Sequence, residues 1–295
     1  AVTANKVNGT STWSFQAVVP KGATEARFAF TFPYTESNLD RFLSGLSQPG
    51  AIKKEELCRS RKGRAVELLR AGKLDSPEGI VLLTARHHCC ETMASYALEG
   101  FLQEVANSKE GPWRDRWQVI AIPFTDKDGT EDGDQGKNRD PHDHNRDYNE
   151  KPIYPEVAAL MKLGDSVKGQ VVAALDMHCP YIRGEWNDRV YFVGPQDERL
   201  WQAEVAFAKT LEQAQSGPIR FRAEDCLQFG RAWNTGANYK QGRSAARWAG
   251  ETFPNAQFAA TVEIAYADAH GNEVNDESAR ALGRDLARAF AQFLK

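Results

Sequence analysis

The segment that most constrains the fold is a strand, a short polar turn and a helix in direct succession. The apolar run Gly79-Ile-Val-Leu-Leu-Thr84 has the composition of a buried β-strand. The apolar residues of 92–102 recur at the spacing of an amphipathic helix. His88 and Glu91 lie in the turn between the two elements, close enough to bind one ion together. The pattern H-x-x-E alone is weak evidence for a metal site, because it often arises by chance.

A further histidine ends another apolar run. His178 follows Val171-Val-Ala-Ala-Leu-Asp-Met177, which is also typical of a buried strand. Binding sites in open α/β sheets lie at the carboxyl ends of the strands, so His178 is a candidate third ligand beside His88 and Glu91. A catalytic zinc ion takes three protein ligands and keeps one open position. These three residues are therefore candidates for binding one zinc ion per chain, and His178 strengthens the case of H-x-x-E only modestly.

Two other segments carry charged groups suited to chemistry at such a site. Asp143-His-Asn-Arg146 contains a guanidinium, which matches a carboxylate bidentately, and an amide that adds a neutral donor. Glu263 interrupts the β-rich apolar run 258–266, where a carboxylate is costly unless it is paired or functional. The alternatives are a solvated polar loop for the first segment and a solvent-facing edge strand for the second.

These motifs, taken in chain order, resemble those of the M14 family of zinc metallocarboxypeptidases. The resemblance extends from about residue 30 to the end of the chain, and it implies zinc-dependent hydrolysis of the C-terminal peptide bond of a peptide or protein. The matching segments are Arg86-x-His88-x-x-Glu91, Asp143-x-Asn145-Arg146, His178 and Glu263.

The resemblance also assigns roles to individual residues. It implies that Asn145 and Arg146 bind the free C-terminal carboxylate of the substrate. Asp143 would hydrogen-bond His88 and fix the tautomer of that ring. Glu263 would act as the general base, taking a proton from water and later delivering it to the leaving amine.

Two further assignments follow from looser matches. Arg139 in Gly136-Lys-Asn-Arg139 is similar to the arginine that polarises the scissile carbonyl and stabilises the oxyanion in the family. The alternative is that Arg139 only pairs with the acidic loop before it. Tyr239 resembles the substrate-capping tyrosine of a mobile loop, and a surface tyrosine is the competing interpretation. Arg243 and Arg247 follow on that loop, and the sequence assigns neither to substrate specificity.

The expected fold class is α/β, with a mixed, mostly parallel central β-sheet and helices on both faces. Residues 28–43 are similar to the segment that leads into the catalytic domain of cytosolic carboxypeptidase-like proteins, the bacterial subfamily that the chain resembles most. We therefore expect a catalytic domain over residues 35–295. Residues 1–34 would form a short N-terminal β segment, with room only for the last strands of the β-sandwich that precedes the domain in that subfamily. Alternation over 10–34 predicts a hairpin or two edge strands, and helices are predicted over 36–48 and 276–294.

Other residues near the predicted ligands compete for the metal. His87 adjoins His88, but strand alternation directs it to the opposite side. Cys89, Cys90 and Cys179 flank the ligands, yet no C-x-x-C occurs in the chain, and we expect these thiols to pack as small buried groups.

Composition narrows the class of protein. Hydrophobic residues make up 41% and charged residues 26% of 295 residues, which are values of an ordinary globular domain. A formal net charge of −3 argues against a nucleic-acid partner, and no apolar stretch is long enough to span a bilayer. Five cysteines, two of them adjacent, favour a reducing compartment such as the cytoplasm, while a chain that starts at Ala1 leaves export open. The oligomeric state is not predicted.

Three alternatives to a carboxypeptidase were weighed. Aspartoacylase-like zinc amidohydrolases, which act on N-acyl amino acids, share the fold and the metal motif. They usually lack the loop tyrosine and carry an extra C-terminal β-domain, whereas this chain ends on a predicted helix soon after Glu263. A murein-peptide amidase is a related alternative. A binding module on an inactive scaffold is disfavoured, because the ligands and the base are all present.

Overall fold

The computed structural model describes residues 2–7, 10–26 and 28–294, which divide into two compact units, Ala1–Phe30 and Thr31–Lys295. In the first unit, β1 (Val2–Val7) pairs antiparallel with β2 (Thr10–Phe15). The alternation predicted strands as far as residue 34, but the described part of 16–34 contains no strand.

The missing strand has a physical reason. Phe28, Phe30 and Phe32 continue the alternating pattern, yet their side chains are 59%, 56% and 45% exposed. Backbone N–H and C=O groups need partners, and in the described residues no neighbouring strand supplies them to this segment. Whether residues 1–34 are the last strands of a β-sandwich stays a prediction.

A mixed sheet forms the centre of the second unit. The four central strands of the sheet, in the spatial order β6-β5-β7-β9, are parallel to one another, while β3, β4 and β8 add antiparallel pairs at the edges. A separate ribbon is formed by β10 and β11. The strands are β3 (Ile52–Arg59), β4 (Ala65–Gly72), β5 (Gly79–Ala85), β6 (Trp117–Ile122), β7 (Val171–His178), β8 (Tyr191–Val193), β9 (Phe258–Glu263), β10 (Asp268–Ala269) and β11 (Asn272–Glu273).

Helices cover both faces of this sheet, as the sequence predicts. Side chains of α2, α8 and most of α6 share one apolar core with the sheet, and those of α5 and α7 share the other. The helices are α1 (Glu36–Ser44), α2 (Thr92–Asn107), α3 (Pro112–Asp115), α4 (Lys127–Asp132), α5 (Pro155–Ser166), α6 (Glu198–Ala214), α7 (Ala245–Thr252) and α8 (Asp276–Phe293).

The apolar run of β5 is continuous because both of its faces are buried. Val81 and Leu83 point into the core beneath α2 and α8, whereas Ile80 and Leu82 point into the core beneath α5 and α7. A strand covered on both sides lies in the middle of the sheet, and its carboxyl end leads directly into the turn that carries His88 and Glu91.

The ends of two helices test the sequence predictions. The final helix begins at Asp276, as expected, because Asn275 accepts a hydrogen bond from the Ser278 backbone N–H and the Ser278 hydroxyl donates one to the backbone of Asn275 or Glu273. The helix predicted over 36–48 ends earlier, at Ser44. Gly45 follows it, and Pro49 disfavours helical backbone at the preceding residue.

Candidate metal centre and active cavity

The turn between β5 and α2 is held in place by a buried arginine. Arg86 has a left-handed backbone (φ 62°), and its guanidinium donates to the carbonyl oxygens of Cys89 and Tyr34 and to the hydroxyl of Ser95. These bonds fold residues 86–91 into a tight loop, so that Glu91 directly precedes the first residue of α2. The loop thereby brings the side chains of His88 and Glu91 to one side.

Three side chains converge at the carboxyl ends of β5 and β7. The Nδ1 atom of His88 lies 2.9 Å from Glu91 Oε1, and the Nδ1 atom of His178 lies 2.8 Å from Glu91 Oε2. The two Nδ1 atoms are 3.2 Å apart. One ligand atom from each of the three residues lies within 4.8 Å of the others.

This arrangement fits a divalent metal ion. Ligand atoms about 2.1 Å from a tetrahedral zinc ion are roughly 3.4 Å apart, close to the separation of the two ring nitrogens. Each oxygen of the buried Glu91 carboxylate lies within 2.9 Å of a histidine Nδ1 atom, so this side chain is directed at the point where the two rings meet. An imidazole pair with a carboxylate is a donor set that zinc accepts.

Each histidine of the centre also contacts a carboxylate through its other ring nitrogen. Asp143, which the resemblance assigns to His88, has its Oδ2 atom 3.5 Å from His88 Nε2. Asp176 Oδ2 lies 2.6 Å from His178 Nε2, a contact that the sequence analysis missed. The signal was present, since residues two apart on a strand share one face, and D-x-H places Asp176 beside His178.

Glu263 ends β9 directly opposite His178 in the parallel register of β7 and β9. Its side chain lines the cavity described below, and its Oε2 atom is buried without a hydrogen-bond partner in the described structure. Burial raises the pKa of the Glu263 carboxyl to about 7, even though His178 opposes that shift. A carboxyl with such a pKa exchanges a proton readily near neutral pH.

A cavity of about 280 Å³ opens in front of this centre. An adjoining cavity of about 350 Å³ shares Val193, Tyr239 and Thr261 with it. The first is lined by metal-centre residues, by the Asn145 and Arg146 pair and by aromatic and charged loop residues, among them His88, Lys137, Asp143, Asn145, Arg146, His178, Tyr181, Arg183, Trp186, Tyr191, Trp233, Tyr239 and Glu263.

Asn145 and Arg146 lie on the wall of the first cavity. The Asn145 side-chain oxygen accepts a hydrogen bond from the Ala245 backbone N–H, and its Nδ2 atom lies 3.2 Å from His178 Nε2. Arg146 donates to the carbonyl oxygens of Asn238 and Asn145. Its guanidinium carbon lies 5.0 Å from the centre of the Tyr239 ring. Two of the groups predicted to bind substrate therefore stack on each other beside the metal centre.

Tyr239 lines both cavities, and a hydrogen bond fixes its position. Its hydroxyl donates to the side-chain oxygen of Asn234 at 3.0 Å. Arg243 and Arg247, which the sequence left unassigned, both form ion pairs with Glu251. Arg247 and Glu251 line the second cavity.

Arg139 does not line either cavity. Its guanidinium pairs with Asp126 at 2.5 Å and with Asp134 at 3.2 Å, which corresponds to the alternative of an arginine held by the acidic loop. Lys137, two residues earlier, lies on the cavity wall instead, with its Nζ atom 2.7 Å from Glu91 Oε1.

Lys137 is a cation that the sequence analysis overlooked. Burial opposes the charge on its ammonium group, but Glu91 and Glu263 nevertheless raise its pKa above the usual value. Its Nζ atom also donates to the Cys179 carbonyl oxygen. The segment Gly136-Lys-Asn-Arg139 offers two cations, and its sequence alone does not indicate which one faces the cavity.

The cysteines beside the ligands pack into the protein. Cys89 and Cys179 are buried and Cys90 is partly buried, and all are unpaired thiols. Burial raises the pKa of each of these thiols, and among the described residues no cysteine belongs to a group of converging ligand atoms. His87 is fully buried, and its ring stacks on the His178 ring with the two ring centres 5.6 Å apart.

Sequence comparisons with known proteins find distant relatives of this chain. No family model matches the chain. Cytosolic carboxypeptidase 3 of Mus musculus is 29% identical over 181 residues, and cytosolic carboxypeptidase 2 of Xenopus tropicalis is 30% identical over 152 residues. These matches cover 57% and 46% of this chain but only 18% and 15% of the relatives, so the chain spans a small part of their length.

Solved structures of low sequence identity share the fold. A metallo-carboxypeptidase from Burkholderia cenocepacia superposes with a TM-score of 0.69 at 22% identity, over 88% of this chain and 69% of its own. One from Pseudomonas aeruginosa, in complex with (2-guanidinoethylmercapto)succinic acid, gives 0.68 at 19% identity over the same shares. In the described part of the chain, no helix has the length and apolar composition needed to cross a membrane. The chain thus has the M14-type zinc carboxypeptidase fold, and it is a metallocarboxypeptidase-like protein distantly homologous to cytosolic carboxypeptidases 2 and 3.

Proposed function

We propose that the protein is a zinc-dependent metallocarboxypeptidase that hydrolyses the C-terminal peptide bond of peptides or proteins. One observation carries this proposal. A single cavity is lined by two metal-centre histidines, by Glu263, whose Oε2 atom has no hydrogen-bond partner among the described residues, and by the Asn145 and Arg146 pair. These groups supply a metal site, a proton carrier and a carboxylate-binding pair within reach of one bound peptide end.

The zinc ion and Glu263 would perform different parts of the hydrolysis. A zinc ion bound by His88, Glu91 and His178 supplies Lewis acidity towards a carbonyl oxygen and a water molecule. Glu263 takes a proton from the attacking water onto its carboxylate and then delivers that proton to the leaving nitrogen. Its elevated pKa suits both steps, because the carboxyl gives up the proton almost as readily as it accepts it.

The substrate carboxylate would be held by fixed donors. The Arg146 guanidinium is positioned by Asn238 and stacks on Tyr239, so its free N–H groups can bind a carboxylate with little loss of side-chain entropy. Asn145 is positioned by the backbone of Ala245 and adds an amide donor. Tyr239 lines both cavities, and the C-terminal side chain would enter the second one past this ring.

We assign the electrophilic role to Lys137 instead of Arg139. The ammonium of Lys137 lies on the cavity wall beside Glu91, whereas Arg139 pairs with Asp126 and Asp134 and lines neither cavity. A fixed positive charge near the scissile carbonyl stabilises the oxyanion that develops as water adds, and such a donor contributes about 3 to 4 kcal/mol.

Hydrolysis of a peptide library tests the proposal. The zinc-loaded wild type and Glu263→Gln are incubated with peptides that vary in the last residue, and released amino acids are quantified by mass spectrometry. We expect release of single C-terminal residues by the wild type and a loss of roughly 10²- to 10⁴-fold in Glu263→Gln. Glu204→Gln is the matched control, because Glu204 is also a buried glutamate but lies outside both cavities.

Other outcomes separate the alternatives. Cleavage of N-acyl amino acids with no release from any peptide would identify an aspartoacylase-like amidohydrolase. Cleavage restricted to murein peptides would identify a murein-peptide amidase. Stoichiometric zinc binding without turnover of any of these substrates would contradict the proposed catalytic role of Glu263.

A further inference from the structure

We propose that Asp176 is a positioning residue for the metal centre, and that His87 and Tyr148 in turn hold Asp176 in place. Together these residues form a buried chain of polar contacts that ends on His178. The inference rests on the zinc-binding part of the proposed function, but it does not depend on the reaction catalysed.

The contact between Asp176 and His178 determines how the imidazole is presented. Asp176 Oδ2 lies 2.6 Å from His178 Nε2, and a carboxylate oxygen accepts the ring N–H. A metal ion bound at Nδ1 would take the lone pair of that atom while Asp176 holds the ring proton on Nε2. The Nδ1 atom faces Glu91 Oε2 at 2.8 Å and His88 Nδ1 at 3.2 Å, which is the direction of the metal centre. An imidazole fixed in this tautomer and orientation is a better metal ligand than a freely rotating one.

The second oxygen of Asp176 is also fully engaged. The Thr84 hydroxyl donates to Oδ1 at 2.7 Å, and His87 Nδ1 lies 2.8 Å from the same oxygen. Because both oxygens have partners, the carboxylate is held in one rotamer. Its side chain is 2% exposed, so water does not compete for these contacts.

The chain of contacts continues away from the cavity. His87 Nε2 lies 2.6 Å from the Tyr148 hydroxyl, which donates to that nitrogen when Nδ1 carries the ring proton. Tyr148 is buried against Trp248, and its carbonyl oxygen accepts a bond from Arg243. The far end of the chain is therefore anchored in the core and does not reach solvent.

The contact between Asp176 and His178 is shorter than the contact between Asp143 and His88, and it is less accessible to water. Asp143 lies 3.5 Å from His88 Nε2, on the cavity wall, whereas Asp176 lies 2.6 Å from His178 Nε2 in the core. A hydrogen bond to a carboxylate is stronger where water is excluded. Asp176 is thus expected to affect metal binding more than Asp143 does.

Zinc affinity measured by competition with a chromophoric chelator tests the inference without any substrate. Asp176→Asn keeps the shape of the side chain and removes its charge. We expect the affinity to fall by about 10- to 100-fold. Asp225→Asn is the matched control, because Asp225 Oδ2 lies at the same 2.6 Å from His270 Nε2 but lines neither cavity. Its zinc affinity should equal that of the wild type.

Cobalt substitution gives a readout that a purely structural role would not move. The visible d–d bands of the Co²⁺-loaded protein report the ligand field, and they should shift in Asp176→Asn but not in Asp225→Asn. Circular dichroism of the metal-free proteins shows whether each variant folds. If Asp176→Asn does not fold, Tyr148→Phe decides the question, since it removes only one hydroxyl and should weaken zinc binding by roughly two- to tenfold.

The results separate this inference from the proposed function. A wild type that binds no zinc would overturn both. A wild type that binds zinc, with a folded Asp176→Asn variant of equal affinity and an unchanged cobalt spectrum, would overturn the positioning role alone. If Asp176→Asn does not fold, a Tyr148→Phe variant that binds zinc as tightly as the wild type would overturn the positioning role.

Discussion

The helices α2 and α8 pack closely at two glycine residues, and this contact gives a sharp stability prediction. Gly100 of α2 and Gly283 of α8 face each other's helix backbones. A Cβ atom built at Gly100 would lie 1.9 Å from the Arg280 carbonyl oxygen, and one at Gly283 would lie 1.9 Å from the Ala97 carbonyl oxygen. Real Cβ atoms essentially never come within 3.0 Å of such a neighbour, so Gly100→Ala or Gly283→Ala must push the helices apart by at least 1.1 Å at that point.

The cost follows from two opposing effects. A radial gap of about 1 Å forfeits up to half of the dispersion energy of the atoms that it separates, and overpacking of this kind costs about 3 kcal/mol when the obstacle is backbone. Alanine in place of glycine stabilises a helix by about 1 kcal/mol. We therefore expect each variant to lose about 2 kcal/mol of unfolding free energy.

Urea unfolding followed by circular dichroism at 222 nm measures this loss. Gly250→Ala in α7 is the matched control, because its Cβ would clash with the Leu200 Cδ1 atom, the end of a flexible side chain, and would meet Ala259 Cβ at an ordinary 3.7 Å. We expect this variant to stay within about 1 kcal/mol of wild type. The double variant Gly100→Ala/Gly283→Ala should lose less than the sum of the single losses, since one displacement relieves both clashes. Single variants as stable as Gly250→Ala would refute the reasoning.

Three further predictions concern single side chains. Lys137→Met should lower kcat by about 10²- to 10³-fold with little change in KM, while Arg139→Gln should change kcat only a few-fold. Equal effects of the two substitutions in steady-state assays would contradict the electrophilic role of Lys137. Arg146→Gln should raise KM roughly 10- to 100-fold for peptides with a free C-terminus, and an unchanged KM would remove Arg146 from substrate binding. Burial raises the pKa of Glu204 well above its usual value, so the folded protein keeps a proton that the unfolded chain releases once the pH exceeds about 4.3. Wild-type stability should therefore fall as the pH rises, and Glu204→Leu should gain about 1 to 3 kcal/mol in urea unfolding at pH 8 but less at pH 5; an equal gain at both would exclude titration of Glu204.

The strand-end residues were the most predictable part of the site. His88, Glu91, His178 and Glu263 each follow or end an apolar run, and parallel strands bring their carboxyl ends to one edge of a sheet. Sequence alone therefore indicates that these side chains meet. The apolar runs also predict the α/β class, because a continuous apolar strand requires helices on both of its faces.

The loop residues were less predictable for a physical reason. Lys137 and Arg139 carry the same charge and lie two residues apart on a segment with no regular period, so only the actual backbone path decides which one reaches the cavity. Gly136 has a φ of 85°, and a Cβ atom built on it would lie 2.5 Å from the Cys89 backbone nitrogen, so the chain turns there at a residue that has to be glycine. The alternation at 26–32 failed similarly, because a strand depends on a neighbour that local sequence does not reveal.

The lining of the active cavity divides into a fixed part and a changeable part. His178 and Glu263 are opposite each other in a ladder of backbone hydrogen bonds, so neither can shift without disrupting the sheet. By contrast, Tyr181, Arg183 and Trp233 reach the same cavity from segments outside the sheet. Substitutions there leave the ladder intact, and loops tolerate them well. Selection, natural or in the laboratory, can therefore change which ligand this cavity accepts while His178 and Glu263 keep their spacing.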